Sequence, residues 1–195
     1  MRPVHRRVRR GALLLAALLL VGCDALAPWR GLTIDPPRPV PAFTFAQADG
    51  QPFSTAPQPG RPLVLFFGYT HCPDVCPTTL ADWRRVQRQL GDAAARVRFV
   101  FVSVDPGRDT PAVAAAYAAR FSPAFTGVSG DSATTANILR AFDATATPEP
   151  ATGASGYLVS HSSQLFLVDD QGRLVALYPF GTSWEALAAD LGKLL

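Results

Sequence analysis

The feature that most constrains the fold is a continuous apolar run, residues 63–67, which leads directly into a loop with two cysteines and then into a helical pattern. An unbroken apolar run of this length is typical of a strand that is covered on both faces of a sheet. After the loop, apolar residues recur at spacings of three and four, at Leu80, Trp83, Val86 and Leu90. This spacing predicts a helix with one face on the core, and Pro77 suits its first turn.

The same alternation of strand and helix continues along the chain. Asp49-Gly50 lies between two short strand-like segments and predicts an N-terminal hairpin, whereas residues 144–156 form a long low-complexity loop. Further strands are predicted at 97–104 and 125–128, helices at 109–121 and 132–142, a hairpin at 164–178 and a closing helix at 184–195. This order predicts an α/β, thioredoxin-like fold, with a central mixed sheet flanked by helices and an N-terminal hairpin extension.

The N-terminus has the pattern of an export signal. Five arginines and no acid precede an apolar run, residues 11–21, that is too short to span a bilayer. The ending Leu-Val-Gly-Cys23 resembles the lipobox of bacterial lipoproteins, in which cleavage leaves a lipid-modified cysteine. Asp24 resembles the residue that retains such proteins in the inner membrane. An uncleaved anchor, in which Cys23 is incidental, is the alternative.

The predicted domain organisation is therefore a signal peptide over residues 1–22, a lipid-anchored linker over 23–41 and one domain over 42–195. The linker is proline-rich and lacks periodicity, which is typical of a tether. The whole chain has 18 basic and 15 acidic side chains, but without the signal 13 basic residues face 15 acidic ones, a net charge of −2. No basic run remains that could follow a phosphate backbone, so we expect no nucleic acid partner.

The cysteine pair is predicted to be a mobile dithiol. Both residues precede prolines and are biased away from helical geometry, so Cys76 is expected at the helix cap, where the positive end of the helix would favour its thiolate. Residues four apart on a regular helix are too distant for a disulfide, but a loop position for Cys72 allows both a bridged and an open pair. An inert disulfide that only staples the loop is the alternative, although so short a loop gains little stability.

Three residues separate these cysteines, whereas a thioredoxin-type redox pair has two. Two thiolates at the rim of a domain are soft ligands for Cu(I) or Zn(II) and leave room for a third donor. His161 precedes the predicted last hairpin, which a thioredoxin-like layout brings beside the cysteine loop; a polar turn residue is its alternative role. His71 is expected at the surface because adjacent side chains of an extended segment point apart. Met1 is the only methionine, which excludes a methionine-lined site.

Three motifs in order resemble the Sco/SenC family: Gly-Tyr-Thr-His-Cys-Pro-Asp-Val-Cys-Pro at 68–77, Asp-Pro-Gly-Arg-Asp-Thr-Pro at 105–111, and His161. The resemblance runs from about residue 41 to the C-terminus. It implies a membrane-anchored copper protein that binds copper through Cys72, Cys76 and His161. Because imidazole suits Cu(II) as well as Zn(II), such a set of donors can hold both Cu(I) and Cu(II). The resemblance further implies copper delivery, or thiol reduction, during assembly of the Cu(A) centre of cytochrome c oxidase.

The chain departs from the family pattern at Ser160, where relatives often carry an aspartate that could orient the histidine. Asp105 and Asp109 match the family pattern, but turn and cap roles explain both, so neither is assigned to the site.

Two functions of different class therefore remain. The first is a copper metallochaperone in the bacterial cell envelope, an inner-membrane lipoprotein that faces the periplasm. Its partners would be the copper-bearing oxidase subunit, the membrane through the lipid anchor, and another copper chaperone or a thiol reductant. The second is a thiol-disulfide oxidoreductase that works through a mixed disulfide. Thioredoxins carry a cis-proline beside the active disulfide, and residues 160–163 lack one, which favours the metallochaperone.

Overall fold

The structure, a computed structural model, describes residues 28–150 and 156–195. The predicted signal peptide, the predicted lipidation site Cys23 and residues 24–27 of the predicted linker lie outside these ranges. The strands are β1 (Leu32–Pro39), β2 (Thr44–Ala46), β3 (Pro52–Ser54), β4 (Leu63–Gly68), β5 (Arg98–Ser103), β6 (Thr126–Ser129), β7 (Ala146–Pro148), β8 (Val159–His161), β9 (Leu165–Val168) and β10 (Arg173–Tyr178). The helices are α1 (Val75–Leu90), α2 (Pro111–Ala119), α3 (Ser132–Ala141) and α4 (Trp184–Gly192), with a 3-10 helix at Gly91–Arg96.

A mixed six-stranded sheet forms the centre of the fold, in the order β1-β10-β9-β4-β5-β6. The pairs β4–β5 and β5–β6 are parallel, whereas β9 lies antiparallel to both β4 and β10. All six residues of β4 are buried, as its unbroken apolar run predicts. The predicted thioredoxin-like α/β fold is confirmed, and β2 and β3 form the predicted N-terminal hairpin.

The core lies between this sheet and the helices. Trp83 of α1 is fully buried, and its ring centroid lies 5.4 Å from that of Phe99 and 5.5 Å from that of Phe125. The face of α1 predicted to be apolar thus packs on the sheet, and α1 also packs against α4. β4 ends at Gly68 and α1 begins at Val75, so the cysteine loop between them lies at the carboxyl end of the central strand.

Part of the predicted linker belongs to the sheet instead. Leu32–Pro39 pairs with β10 as an edge strand, with an irregularity between Thr33 and Arg38 that accommodates the two prolines. An edge strand needs hydrogen bonds on one side only and therefore tolerates proline, which is why its composition resembles a tether. The prediction of a linker up to residue 41 is wrong for this segment.

The long loop predicted at 144–156 also contains regular structure. Ala146–Pro148 pairs antiparallel with Val159–His161, so His161 lies within a strand of a small two-stranded hairpin rather than in a turn. In the described part of the chain, no helix combines the length and apolarity needed to cross a bilayer.

Candidate metal centre

The cysteine loop begins at the end of β4 and ends in the first turn of α1. The Cys72 backbone N–H donates to the Tyr69 carbonyl oxygen at 3.2 Å, which closes a turn. The Cys72 side chain is half-buried at the rim of the domain, whereas Cys76 is fully buried. Asp74 precedes the helix, so Cys76 is its second residue, and the prediction that Cys76 is the cap is wrong by two positions.

Gly68 makes room for the buried thiol. A Cβ atom at this position would lie 2.7 Å from the Cys76 sulfur and 2.8 Å from the Phe101 ring, closer than real side chains approach. Gly68 therefore fixes how deeply the thiol lies beneath the end of β4, a role visible only in three dimensions.

His161 reaches the cysteines from the hairpin β7–β8. Its ring packs edge-on against Phe66, at a centroid distance of 5.9 Å, and against Tyr69, at 5.7 Å. Its Nδ1 lies 3.1 Å from the Ser162 carbonyl oxygen. Because a carbonyl oxygen only accepts, a proton on Nδ1 would satisfy it, and in that tautomer Nε2 would offer its lone pair to a metal. That Nε2 lies 3.6 Å from the Cys76 sulfur.

The missing aspartate at position 160 is compensated by the backbone. Ser160 is exposed and precedes His161 in the same strand, where successive side chains point to opposite faces. Metal-binding histidines usually donate their other ring nitrogen to a carboxylate, a carbonyl oxygen or water. In this chain the Ser162 carbonyl oxygen is the hydrogen-bond acceptor for that ring nitrogen, so the ring is oriented without an aspartate at position 160.

The three predicted ligands converge. One ligand atom from each of Cys72, Cys76 and His161 lies within 4.8 Å of the others. With bonds of about 2.3 Å from a metal to sulfur, two ligand atoms on one ion lie at most about 4.6 Å apart. The group therefore needs only a small contraction to hold an ion, and two thiols with one imidazole are a donor set suited to copper or zinc.

The two thiols differ sharply in acidity. The pKa of Cys72 is lowered to about 4, mainly by a hydrogen bond from the Cys76 thiol, with smaller contributions from His161 and backbone N–H groups and with burial opposing the shift. The same hydrogen bond, together with burial, raises the pKa of Cys76. The pair thus retains one proton, on Cys76, and ionises at Cys72. The prediction that Cys76 ionises more readily is wrong because the hydrogen bond to Cys72, together with burial, outweighs the helix end. Both thiols are free in this structure, so the predicted Cys72–Cys76 disulfide stays a prediction for the oxidised protein.

His71 lies outside the group. Its side chain is 55% exposed, and Nδ1 contacts the Thr70 hydroxyl at 3.2 Å and lies 3.9 Å from an Asp109 carboxylate oxygen. The predicted surface position is confirmed.

Asp109 has a larger role than a cap. It is fully buried and accepts hydrogen bonds from the Thr70 backbone N–H at 2.9 Å, the Thr70 hydroxyl at 2.6 Å and the Ser103 hydroxyl at 2.6 Å. The α2 cap is Thr110, whose side chain accepts from the Val113 backbone N–H. Asp109 therefore anchors the cysteine loop to the end of β5.

Asp105 is the second carboxylate that sequence reasoning undervalued. It is 4% exposed and accepts a hydrogen bond from the Tyr157 hydroxyl at 2.6 Å. Tyr157 lies four residues before His161 in the chain. Asp105 also pairs with Arg108. The spacing of Asp105 and Asp109 in the sequence could have marked both as residues of the site. That spacing does not show that they are buried, and burial is what distinguishes an anchor from a turn residue.

Known proteins resemble this chain over most of its length. The SCO1/SenC family model matches residues 33–195. A protein of Stutzerimonas stutzeri named for copper binding is 34% identical over 181 residues, which cover 88% of this chain and 87% of that protein. The chain spans about half the length of mitochondrial SCO2 relatives from Saccharomyces cerevisiae and Bos taurus.

Solved structures agree with this match. Apo Sco1 from Thermus thermophilus is 37% identical with a TM-score of 0.77, and the alignment covers 88% of this chain and 99% of that one. Copper-bound ScoI from Bradyrhizobium japonicum is 36% identical with a TM-score of 0.72, and the alignment covers 80% of this chain and 99% of that one. Family model, relatives and structures agree, and the chain belongs to the SCO1/SenC family.

Proposed function

We propose that this protein is a copper metallochaperone that holds Cu(I) and Cu(II) through Cys72, Cys76 and His161. The observation that carries this proposal is the convergence of the three ligand atoms within 4.8 Å at the end of the central strand. Thiolates suit Cu(I), and imidazole suits Cu(II), so one set of donors serves both oxidation states. Zinc would fit the same donors, but the Bradyrhizobium japonicum neighbour has copper bound and the Stutzerimonas stutzeri relative is named for copper.

The exposure of the ligands favours transfer rather than storage. Cys72 and His161 are both half-buried, whereas Cys76 is enclosed. A partner thiol or imidazole can approach from the open side and replace Cys72 or His161, while Cys76 retains the ion until the exchange is complete. The recipient we propose is the copper-bearing subunit of cytochrome c oxidase, at its Cu(A) centre. In support, BsSco, which shares this fold with a TM-score of 0.65, is a member of the Sco family of cytochrome c oxidase assembly proteins.

Metal titration of the detergent-solubilised, reduced full chain tests the site. We expect one copper per chain and a thiolate-to-copper absorption band with Cu(II). His161→Ala should weaken the band and shift it, and Cys72→Ser should abolish it. His71→Ala is the matched control because that imidazole is adjacent to the loop but lies outside the group. Equal copper binding by wild type and His161→Ala would contradict the three-ligand site.

Thiol-disulfide exchange is a second candidate, and the asymmetry of the two thiols favours it. The Cys72 thiolate is accessible and could attack a partner disulfide, forming a mixed disulfide and releasing one partner thiolate. The Cys76 thiol would lose its proton to solvent and attack the Cys72 sulfur, releasing the second partner sulfur as a thiolate, which takes up a proton from solvent. Two electrons pass to the partner, and Cys72 and Cys76 end as a disulfide. Reduction of a model disulfide by His161→Ala at the wild-type rate, with copper binding also unchanged, would favour this function over the first.

We further propose that the protein is an inner-membrane lipoprotein of the bacterial cell envelope, lipidated at Cys23 and facing the periplasm. The charged leader, its short apolar run and the lipobox-like ending support this proposal. Cys23→Ser should release the protein from the membrane fraction. Continued membrane retention would instead support an uncleaved anchor.

A further inference from the structure

We propose that Asp105, Arg108 and Tyr157 form a clamp that positions His161 against the two thiols. The clamp joins the loop after β5 to the segment that leads into β8. This inference deepens the proposed function and rests on it, because it assigns a purpose to contacts that matter only if His161 is a ligand. Asp105, Arg108 and Tyr157 are positioning residues, since none of them reaches the ligand atoms.

Tyr157 is held at three points. Its hydroxyl donates to one Asp105 carboxylate oxygen at 2.6 Å, and Arg108 Nε donates to the other. Arg108 Nη1 donates to the Tyr157 carbonyl oxygen at 2.8 Å, and the guanidinium carbon lies 3.6 Å from the centroid of the Tyr157 ring. Each of the three side chains therefore contacts both of the others, and both the backbone and the side chain of Tyr157 are fixed.

Burial makes these contacts strong. Asp105 is 4% exposed and the Arg108 side chain 20% exposed, so both charges are largely removed from water. Hydrogen bonds to charged groups contribute more than neutral ones, and a buried charge that loses a partner retains its desolvation cost. The clamp is therefore a more rigid attachment than the exposed ion pair between Arg85 and Asp82 on α1.

The clamp also touches the cysteine loop. The Arg108 guanidinium carbon lies 5.7 Å from the centroid of the Tyr69 ring, and Tyr69 packs against His161 from the cysteine side. Arg108 thus lies between the tyrosine that precedes the cysteines and the tyrosine that precedes the histidine. Without the clamp, only the hairpin's own bonds would hold His161 in place, namely its pairing with Ala146 and the hydrogen bond from the Ser162 N–H to the Thr145 carbonyl oxygen, and these bonds would open more often.

Hydrogen exchange in the metal-free protein tests the clamp independently of copper. Tyr157→Phe removes the hydroxyl but preserves the ring. We expect the backbone amides of Glu149 and Ser162, which bond across the hairpin, to exchange about tenfold faster, as the loss of a charge-assisted hydrogen bond of ~1.5 kcal/mol implies. The Thr70 amide, bonded to Asp109, should remain within about twofold of wild type.

Tyr117→Phe is the matched control, because the Tyr117 hydroxyl is buried without a hydrogen-bond partner in the described part of the chain. Arg108→Lys is a second variant: it preserves the charge but loses the fork that joins Asp105 to Tyr157. It should accelerate exchange at the same two amides. Unchanged exchange at Glu149 and Ser162 in both variants would overturn the clamp. Equal acceleration at Thr70 would overturn it too, since a general loss of stability would then explain the effect.

A copper measurement connects the clamp to function. Transfer of Cu(II) from Tyr157→Phe to a chelator should be faster than from wild type, and its absorption band should shift toward that of His161→Ala. Wild-type transfer rate and spectrum in Tyr157→Phe would overturn the positioning role even if exchange responded. If the proposed function itself were wrong, a different result would appear: His161→Ala would bind copper as well as the wild-type protein does.

Discussion

The cysteine loop and the histidine hairpin supply ligands to one group but are built very differently. The cysteine loop joins a fully buried strand to the sixteen-residue helix α1, and Asp109 anchors it from beneath. The histidine hairpin consists of two three-residue strands that pair with each other and not with the main sheet. An isolated two-stranded hairpin is marginally stable, so its position depends on side-chain contacts. The thiols are therefore the fixed half of the group, and His161 is the adjustable half.

Cys72, in the fixed half of the group, should remain reactive at a much lower pH than an ordinary thiol. Because the pKa of Cys72 is about 4, its alkylation rate should be constant from pH 8 down to about pH 5 and fall below pH 4. A free thiol, with a pKa of about 8.5, would lose reactivity some four units higher. The folded pKa lies below the unfolded one, so the stability contributed by the thiolate is also complete above about pH 8.5 and declines as pH falls toward 4.

Variants of the two halves should change that profile unequally. Cys76 is the first cause of the low pKa of Cys72, and His161 is a smaller one. Cys76→Ala should therefore move the alkylation midpoint upward further than His161→Ala does, as mass spectrometry of the modified Cys72 can measure. A larger movement with His161→Ala would reverse the comparison.

Removal of the Asp109 anchor should cause the largest loss of stability. Asp109→Ala leaves the Thr70 backbone N–H, the Thr70 hydroxyl and the Ser103 hydroxyl without their acceptor. We expect the free energy of unfolding to fall by about 3 kcal/mol, because each stranded buried donor costs ~1–3 kcal/mol and Thr70 can recover some bonding to water. Urea denaturation of the reduced protein measures this. Asp82→Ala, which removes only a surface pair with Arg85, is the control, and a similar small change in both would contradict the anchor.

A methyl group at Gly68 should disturb the fixed half at its centre. Gly68→Ala places a carbon 2.7 Å from the Cys76 sulfur, and overpacking of this kind costs about 2 kcal/mol. The thiol should be displaced, with weaker copper binding as a result. Gly192→Ala, which meets no atom within 4 Å at the end of α4, should not destabilise the protein. Wild-type stability and copper binding in Gly68→Ala would show that the thiol is not held by this contact.

The smallest effect is expected in the hairpin. Ser162→Ala removes the acceptor of the Thr145 backbone N–H but leaves the Ser162 carbonyl oxygen that orients His161. Because this position is exposed, we expect a loss below about 1 kcal/mol and an unchanged copper spectrum. A clear spectral change would show that the hairpin, not the carbonyl contact, orients the ring.

The sequence predicted the elements whose signals are local. The apolar run of β4 and the spacing of Leu80, Trp83 and Val86 identified the central strand and α1 because burial of whole faces leaves a pattern. The ligand residues followed from the cysteine spacing and the scarcity of histidine. Sequence reasoning missed β1 because an edge strand tolerates prolines and so resembles a linker in composition. It missed β7 because a strand of three residues, Ala-Thr-Pro, is too short to show a periodic pattern.

Burial explains the remaining differences between prediction and structure. Asp105 and Asp109 resemble turn and cap residues in sequence, and only the fold reveals that both are enclosed and bonded to the two ligand segments. The acidity of the thiols was predicted from the helix end near Cys76, but the hydrogen bond between the two thiols, together with the burial of Cys76, makes Cys72 the more acidic one. The burial of all three groups depends on chain segments that are distant in sequence, which is why the sequence does not reveal it.

X-ray absorption at the copper edge of the Cu(I)-loaded full chain identifies the atoms that hold the metal. We expect two sulfur ligands and one nitrogen ligand in wild type, loss of the nitrogen in His161→Ala, and an unchanged ligand shell in His71→Ala. A shell that is the same in wild type and His161→Ala, or that loses its nitrogen in His71→Ala, would contradict the claim that Cys72, Cys76 and His161 together hold the metal.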